Sequence, residues 1–167
     1  LKQRMSGEIA GNTKGLIPSV SLAAIGGLDQ FFSGVVNTVQ MATGSDNVYQ
    51  GVLSQANQMN IAQVAKDSWL GKIGLQLITT TANMAPSILI GSATGNPLLG
   101  SVSMGVSASG NAYSQAIISG ADPLEAAVYG LLIGASETTL QYFMSKVPGL
   151  SKSGAVLANK IDDAIKT

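Results

Sequence analysis

The sequence has no cysteine and no histidine, and charged residues make up only 11% of its 167 residues. Without cysteine and histidine the chain has no thiol nucleophile, no Ser-His triad, no ordinary zinc ligand set and no usual haem ligation. Its nine basic residues are matched by nine acidic ones, so it lacks the net positive charge typical of nucleic-acid-binding proteins, and no specific nucleic-acid site is visible. Most familiar enzyme classes are therefore excluded.

Catalytic motifs that use the remaining residue types do not occur either. No serine lies in a Gly-x-Ser-x-Gly elbow or is followed three residues later by lysine, and neither the Gly-x-Gly-x-x-Gly nor the Gly-x-x-x-x-Gly-Lys motif occurs, since the matching glycine spacing at Gly95 and Gly100 is followed by Ser101. Glu125 and Glu137 are about three and a third turns apart on one predicted helix, so they cannot form a carboxylate pair without a partner chain. We therefore expect a noncatalytic protein without cofactor or bound metal.

Charge is distributed in blocks along the chain. Residues 15–45 contain one charged residue, Asp29, and residues 73–121 contain none. This uncharged tract is 49 residues long, close to what a hairpin of two membrane-spanning helices of roughly 20 residues each requires. Charged residues make up 11% of this chain, compared with roughly 25% in typical soluble globular proteins. We therefore expect something other than water to cover part of the surface.

Proline and glycine divide the sequence into helices, and no strand-like alternation of useful length is present. The pattern predicts an all-α fold of five or six helices, with small-residue packing between helices and a central apolar hairpin. The predicted helices cover 19–42 with an interruption at Gly26 and Gly27, 46–68, 69–90, 98–119, 123–146 and 154–166. Pro86 is expected to kink or end its helix, and residues 91–97 to reverse the chain.

The sequence Asp122-Pro123-Leu124-Glu125 gives the clearest helix start. Aspartate suits the N-cap, proline the first helical position and glutamate the first turn, since each satisfies or avoids an unpaired backbone amide.

The same features suggest three segments. Residues 1–68 form a polar and amphipathic helical segment, residues 69–150 an apolar Gly/Ala-rich helical module, and residues 151–167 a C-terminal amphipathic helix. The chain begins at Leu1 rather than at an initiator methionine, and we expect it to continue into a longer parent protein.

Small residues recur at every fourth position on two predicted helices, and positions four apart lie on one helical face. The two stripes consist of Ser101, Gly105 and Ser109, and of Ala126, Gly130 and Gly134. We expect Gly130 and Gly134 to lie against another helix, with Gly105 at a second such contact. Stripes of this kind occur both in membrane helix pairs and where helices of soluble proteins cross closely, so both interpretations stay open.

The membrane interpretation predicts a hairpin from Trp69 to Ser119. Trp69 would lie at its mouth, Ile88 and Val106 within its two spans, and Pro97 at its turn. Its asparagine, glutamine, serine and threonine residues make insertion of a single hairpin costly, which favours a conditional, oligomeric or water-lined insertion. A soluble helical bundle with a small-residue core is the alternative.

Several runs of sequence resemble one group of proteins. They are 82–88 (ANMAPSI), 95–97 (GNP), 104–113 (MGVSASGNAY), 120–127 (GADPLEAA) and 129–137 (YGLLIGASE). Residues 69–150 are similar to Gly/Ala-rich helical segments of very large bacteriophage and mobile-element proteins of the minor-head, tape-measure or ejected internal virion type. The resemblance implies a location in the virion interior, or in the host cell envelope after injection, and it implies no catalytic residues.

We therefore expect a structural, conditionally membrane-interacting helical module of a large phage-type virion or injected protein, which aids DNA ejection or protein delivery through the host envelope. Its expected partners are further copies of itself, other virion proteins and a lipid bilayer. The alternative is a soluble, noncatalytic packing or spacer domain of a large phage, mobile-element or toxin protein.

Overall fold

The computed structural model describes residues 4–6 and 15–146. Its long helices are α1 (Leu16–Ala42), α2 (Val52–Asp67), α3 (Trp69–Thr94), α4 (Pro97–Ile118) and α5 (Pro123–Lys146), and residues 4–6 form a further helical turn. The described residues contain no strand. The predicted all-α class with five or six helices is therefore confirmed, whereas the helix predicted over 154–166 lies outside the described residues.

Three of the long helices start at a side-chain cap that their own N-cap residue supplies. Asp122 Oδ1 accepts hydrogen bonds from the backbone amides of Leu124 (2.8 Å) and Glu125 (3.1 Å) at the start of α5, as the sequence predicts. Asn96 Oδ1 accepts from an amide of α4 at 3.0 Å, and Ser68 Oγ accepts from an amide of α3 at 3.0 Å. Each cap satisfies an amide that has no partner within its own helix.

Several predicted helix boundaries were wrong. α1 continues through Gly26 and Gly27, and α3 continues through Pro86 as far as Thr94, so the chain reverses at residues 95–96 rather than over 91–97. Gly95 makes this short reversal possible because its φ of 63° lies in the left-handed region. Residues on both sides of Pro86 are buried, and this packing offsets the backbone hydrogen bond that the proline cannot donate.

The second helix begins at Val52 and not at residue 46. The Asn37 side chain holds the preceding loop by two hydrogen bonds to the backbone of Tyr49: Nδ2 donates to the carbonyl oxygen (2.8 Å), and Oδ1 accepts from the amide (2.7 Å). The Asn37 side chain therefore satisfies the backbone amide and carbonyl groups of Tyr49. If α2 had begun earlier, these groups would have formed hydrogen bonds within the helix.

All five long helices pack into one bundle. α4 packs against α1, α3 and α5, while α2 packs against α1 and α3. The sequence-based boundary at residue 68 coincides with the short link between α2 and α3. Nevertheless, α1 from the 1–68 segment packs extensively against α3 and α4. Within the described residues, α1 and α4 therefore lie at the centre of the bundle.

Candidate functional site

Small and polar side chains dominate the interior of the bundle. The buried polar residues in the helices are Ser19, Ser33, Asn37, Asn57, Asn60, Ser87, Ser101, Ser107, Ser109 and Ser114. The large apolar or aromatic residues found buried with them in the described ranges are Leu22, Phe31, Leu75, Met104 and Tyr113. A core with so few large side chains gains less from the hydrophobic effect than a usual one, and it relies more on close backbone contact and hydrogen bonds.

Large apolar side chains lie instead on the outside, on a surface that we call the apolar exterior. It consists of exposed residues on α1, α3 and α5, namely Ile17, Ile25, Phe32, Val39, Trp69, Leu70, Leu77, Leu89, Leu124, Val128, Leu131, Leu132 and Leu140. Leu77 is 64% exposed and Leu132 63% exposed. Single exposed leucines are ordinary in soluble proteins, but a large apolar surface of this kind marks a site of interaction.

The two predicted small-residue stripes meet at the contact between α4 and α5. A Cβ atom added to Gly134 would lie 2.6 Å from the carbonyl oxygen of Gly105, and one added to Gly130 would lie 2.8 Å from that of Ser109. Both distances are shorter than real Cβ contacts, so even one methyl group does not fit. The two backbones therefore touch within a single chain.

The other two members of the stripes are Ser101 on α4 and Ala126 on α5. Ser101 and Ala126 are both buried. The Ser101 hydroxyl donates to the carbonyl oxygen of Pro97 one turn earlier (3.0 Å). Ser101 thus bonds within its own helix, whereas Gly105 and Ser109 contact α5 directly.

A second close contact, between α1 and α4, was not foreseen from the sequence. A Cβ atom on Gly110 would lie 2.6 Å from the amide nitrogen of Thr38, and one on Gly34 would lie 2.6 Å from Ser107 Oγ. The Ser107 hydroxyl also donates to the carbonyl oxygen of Phe31 (3.0 Å). The seven-residue spacing of Gly27 and Gly34, which places both on one face of α1, was the available signal.

The predicted membrane hairpin is present as a pair of helices, but its two halves differ. Trp69 is 70% exposed at the start of α3, and Pro97 is exposed at the first position of α4. Ile88 and Val106 are both half-buried. α4 lies at the centre of the bundle, and nine of its 22 residues are buried, so much of its surface is covered by protein.

Hydropathy selects a different pair of helices from the predicted one. In the described part of the chain, the helices long and apolar enough to cross a membrane, judged by length and composition alone, are Ile17–Ala42 and Trp69–Thr94. The most apolar stretch is 44% buried in the first and 17% buried in the second. The hydroxyl and amide side chains of α4 lower its hydropathy, so its assignment as the second span is not supported.

Charged side chains of the described residues lie mostly near helix ends, apart from Glu137 within α5, whereas exposed polar side chains such as Gln76 and Thr80 also occur in the middle of α3. The outer face of α2 exposes Gln58, Gln63, Lys66 and Asp67. Asp29, in the middle of α1, is an exception: its Oδ2 accepts a hydrogen bond from the backbone amide of Ser54 (2.9 Å) and thereby caps α2 from another helix. The bundle consequently has its most polar surface at α2 and exposes most of its large apolar side chains on the other helices.

Among the described residues, Tyr113 is the largest side chain that is fully buried. Its hydroxyl donates to the carbonyl oxygen of Ser45 (2.6 Å), which ties α4 to the loop after α1. Burial raises the pKa of Tyr113, and the negative charge of Asp46 raises it further. The phenol is therefore a structural hydrogen-bond donor at neutral pH.

The described residues contain no group of three or more histidine, cysteine, aspartate or glutamate side chains that could hold a metal ion. Comparisons of the chain with protein-family models, with curated proteins and with solved structures found no match.

Proposed function

We propose that the protein is a structural helical module that inserts conditionally into a lipid bilayer. The observation that carries this proposal is the distribution of side chains, with serine, asparagine and glycine inside the bundle and leucine, isoleucine, valine and phenylalanine outside. In water this distribution forgoes much of the hydrophobic free energy of folding. In lipid it is favourable, because acyl chains solvate the exterior while small residues and interhelical hydrogen bonds hold the helices together.

The apolar exterior is the surface that we expect to meet acyl chains. α3 carries no charge after Lys72, and its most apolar stretch is largely uncovered. α5 exposes Leu132 on the side opposite to its glycine contact with α4 and Leu131 on the flank of that contact. The outer face of α2, with its glutamines and Lys66, belongs on the aqueous side, since a charged group in the bilayer centre costs several kcal/mol.

The setting that we propose is a large phage or mobile-element protein, in the virion interior or, after injection, in the host envelope. This proposal rests on the Gly/Ala-rich runs of residues 69–150 and on the apolar exterior. In that setting the module would aid passage of DNA or protein through the envelope, with further copies or other virion proteins as partners.

A soluble packing or spacer domain is the second candidate. Its support is that the glycines of α4 and α5 find their partners within one chain. The bundle can therefore close its small-residue contacts without lipid and without a second copy.

Liposome flotation combined with dye release distinguishes the two candidates. We expect the full chain to float with vesicles and to release the dye under at least one condition in a series of pH values and anionic-lipid contents. If the protein remains in the soluble fraction and leaves vesicles sealed throughout the series, the membrane proposal is wrong and the packing-domain candidate is favoured.

A further inference from the structure

Polar side chains fill the junction of α1, α2 and α3, which we call the polar seam. It consists of Ser19, Ser33, Asn57, Asn60, Thr79 and Asn83. The Ser19 hydroxyl donates to Asn60 Oδ1 (3.2 Å), and Asn57 Nδ2 donates to Thr79 Oγ1 (2.8 Å). These bonds join α2 to both of its neighbours.

Two adjacent glycines bring the three helices together at the seam. A Cβ atom on Gly26 would lie 2.6 Å from Cβ of Asn57, and one on Gly27 would lie 3.0 Å from the amide nitrogen of Asn83. Asn57 and Asn83 therefore border the same short stretch of α1. Asn60 follows Asn57 by about one turn, so these two amide side chains lie on one face of α2, and Asn83 lies on the neighbouring helix α3.

The seam contains polar atoms that the protein does not satisfy. Within the described residues, Asn57 Oδ1, Asn83 Oδ1, Asn60 Nδ2 and Ser33 Oγ are buried without a hydrogen-bond partner. The Asn57 and Asn60 side chains are almost fully buried, at 1% and 3% exposure. Leaving such an atom unpaired costs roughly 1–3 kcal/mol, so four in one protein require an explanation.

The chemistry of these four atoms identifies the missing partner. Asn57 Oδ1 and Asn83 Oδ1 need hydrogen-bond donors, Asn60 Nδ2 needs an acceptor, and a hydroxyl can act as either. A cation would satisfy the oxygens and repel the amide nitrogen. Water both donates and accepts, and a buried water typically makes about three hydrogen bonds.

We propose that the polar seam is a binding site for internal water, which bridges α2 to α1 and α3. The site does not depend on the proposed function, because the same atoms need partners whether the bundle lies in water or in lipid. Its ligand is held by Asn57, Asn60 and Asn83.

Water-to-protein nuclear Overhauser effects on the labelled full chain test this site, with rotating-frame spectra separating dipolar transfer from proton exchange. We expect cross-peaks from water to the side-chain amide protons of Asn57 and Asn60. Asn37 is the matched control, because it is equally buried at 1% exposure and both of its polar atoms bond to Tyr49. Its side-chain amide should show no such cross-peak.

Two results would overturn the proposal. One is a lack of water cross-peaks at Asn57 and Asn60 while their signals are sharp and assigned. The other is a shift of the Asn57 or Asn83 side-chain signals when sodium or potassium replaces a large organic cation in the buffer, because that shift would identify a metal ion as the occupant.

Discussion

The side chain of Gly134 is a single hydrogen atom, and this allows the backbones of α4 and α5 to come into contact. The carbonyl oxygen of Gly105 occupies the space that a side chain would need. Gly74 is also within a helix, but a Cβ atom added there would have no neighbour within 4 Å. Alanine substitutions at Gly134 and at Gly74 therefore separate the effect of close packing from the effect of glycine flexibility.

Replacing Gly134 by alanine should lower the free energy of unfolding by about 1–3 kcal/mol, because the methyl group overpacks the contact. Gly74→Ala should raise it by about 0.5–1 kcal/mol, because glycine is a poor helix former. Chemical denaturation followed by circular dichroism measures both. Effects of the same sign in the two variants would contradict the contact described here.

The sequence indicates small-residue positions better than it indicates their partners. The four-residue spacing of Gly130 and Gly134 was visible, since it depends on helix geometry alone. The contact of Gly34 with Ser107 joins residues far apart in sequence, so it could not be identified before the order of packing was known. The polar seam was missed for the same reason, because its polar residues come from three helices, α1, α2 and α3.

At the scale of the helix, local capping signals were the most reliable. The start of α5 at Pro123 follows from Asp122 and its neighbours. The end of α3 was placed too early, because the turn-forming residues after 90 continue the helix as far as Thr94 and only Gly95 takes the left-handed conformation that ends it. The start of α2 was placed too early as well, since the Asn37 clamp on the preceding loop is a tertiary interaction.

α2 depends on a cap that another helix supplies. Asp29→Ala should lower the free energy of unfolding by about 0.5–2 kcal/mol, as for loss of other helix caps. Asp29→Asn should cost less, because an amide oxygen can still accept the bond from Ser54. Hydrogen exchange at the Ser54 amide should be faster in the alanine variant, and an unchanged rate there would contradict a capping role for Asp29.

The exposed face of α3 provides the test of lipid contact at the same scale. Leu77→Lys should leave stability in water within about 0.5 kcal/mol, because the side chain is mostly exposed. It should reduce insertion on the order of 100-fold, since a lysine near the centre of a span costs about 2.5–3.5 kcal/mol. Vesicle dye release measures the effect, and Gln63→Lys on the polar face of α2 is the control.

Leu77→Lys tests lipid contact more cleanly than a lysine at Ile88 or Val106, the residues that the sequence predicts within the two spans. Both are half-buried between helices, so a lysine there would disturb packing as well as lipid contact. If the Leu77→Lys variant released as much dye as the unsubstituted protein, the proposal that α3 faces lipid would be contradicted.

On the scale of the whole molecule, the bundle combines a polar seam with an apolar exterior. The seam lies beneath α2, on the side that also exposes charged groups. Water held in the seam would supply hydrogen bonds that acyl chains cannot. The bundle could then keep α2 in place at the aqueous side while α3 and α5 face lipid.

The central claim is that the apolar exterior contacts acyl chains, and site-specific fluorescence tests it most directly. The chain has no cysteine, so Leu77→Cys, Leu132→Cys and Gln63→Cys each carry one thiol for an environment-sensitive dye. All three positions are exposed, so labelling should preserve the fold. With vesicles that carry nitroxide-labelled acyl chains, we predict strong quenching at positions 77 and 132 and little at position 63. Equal quenching at all three positions, or none at any of them, would contradict the claim.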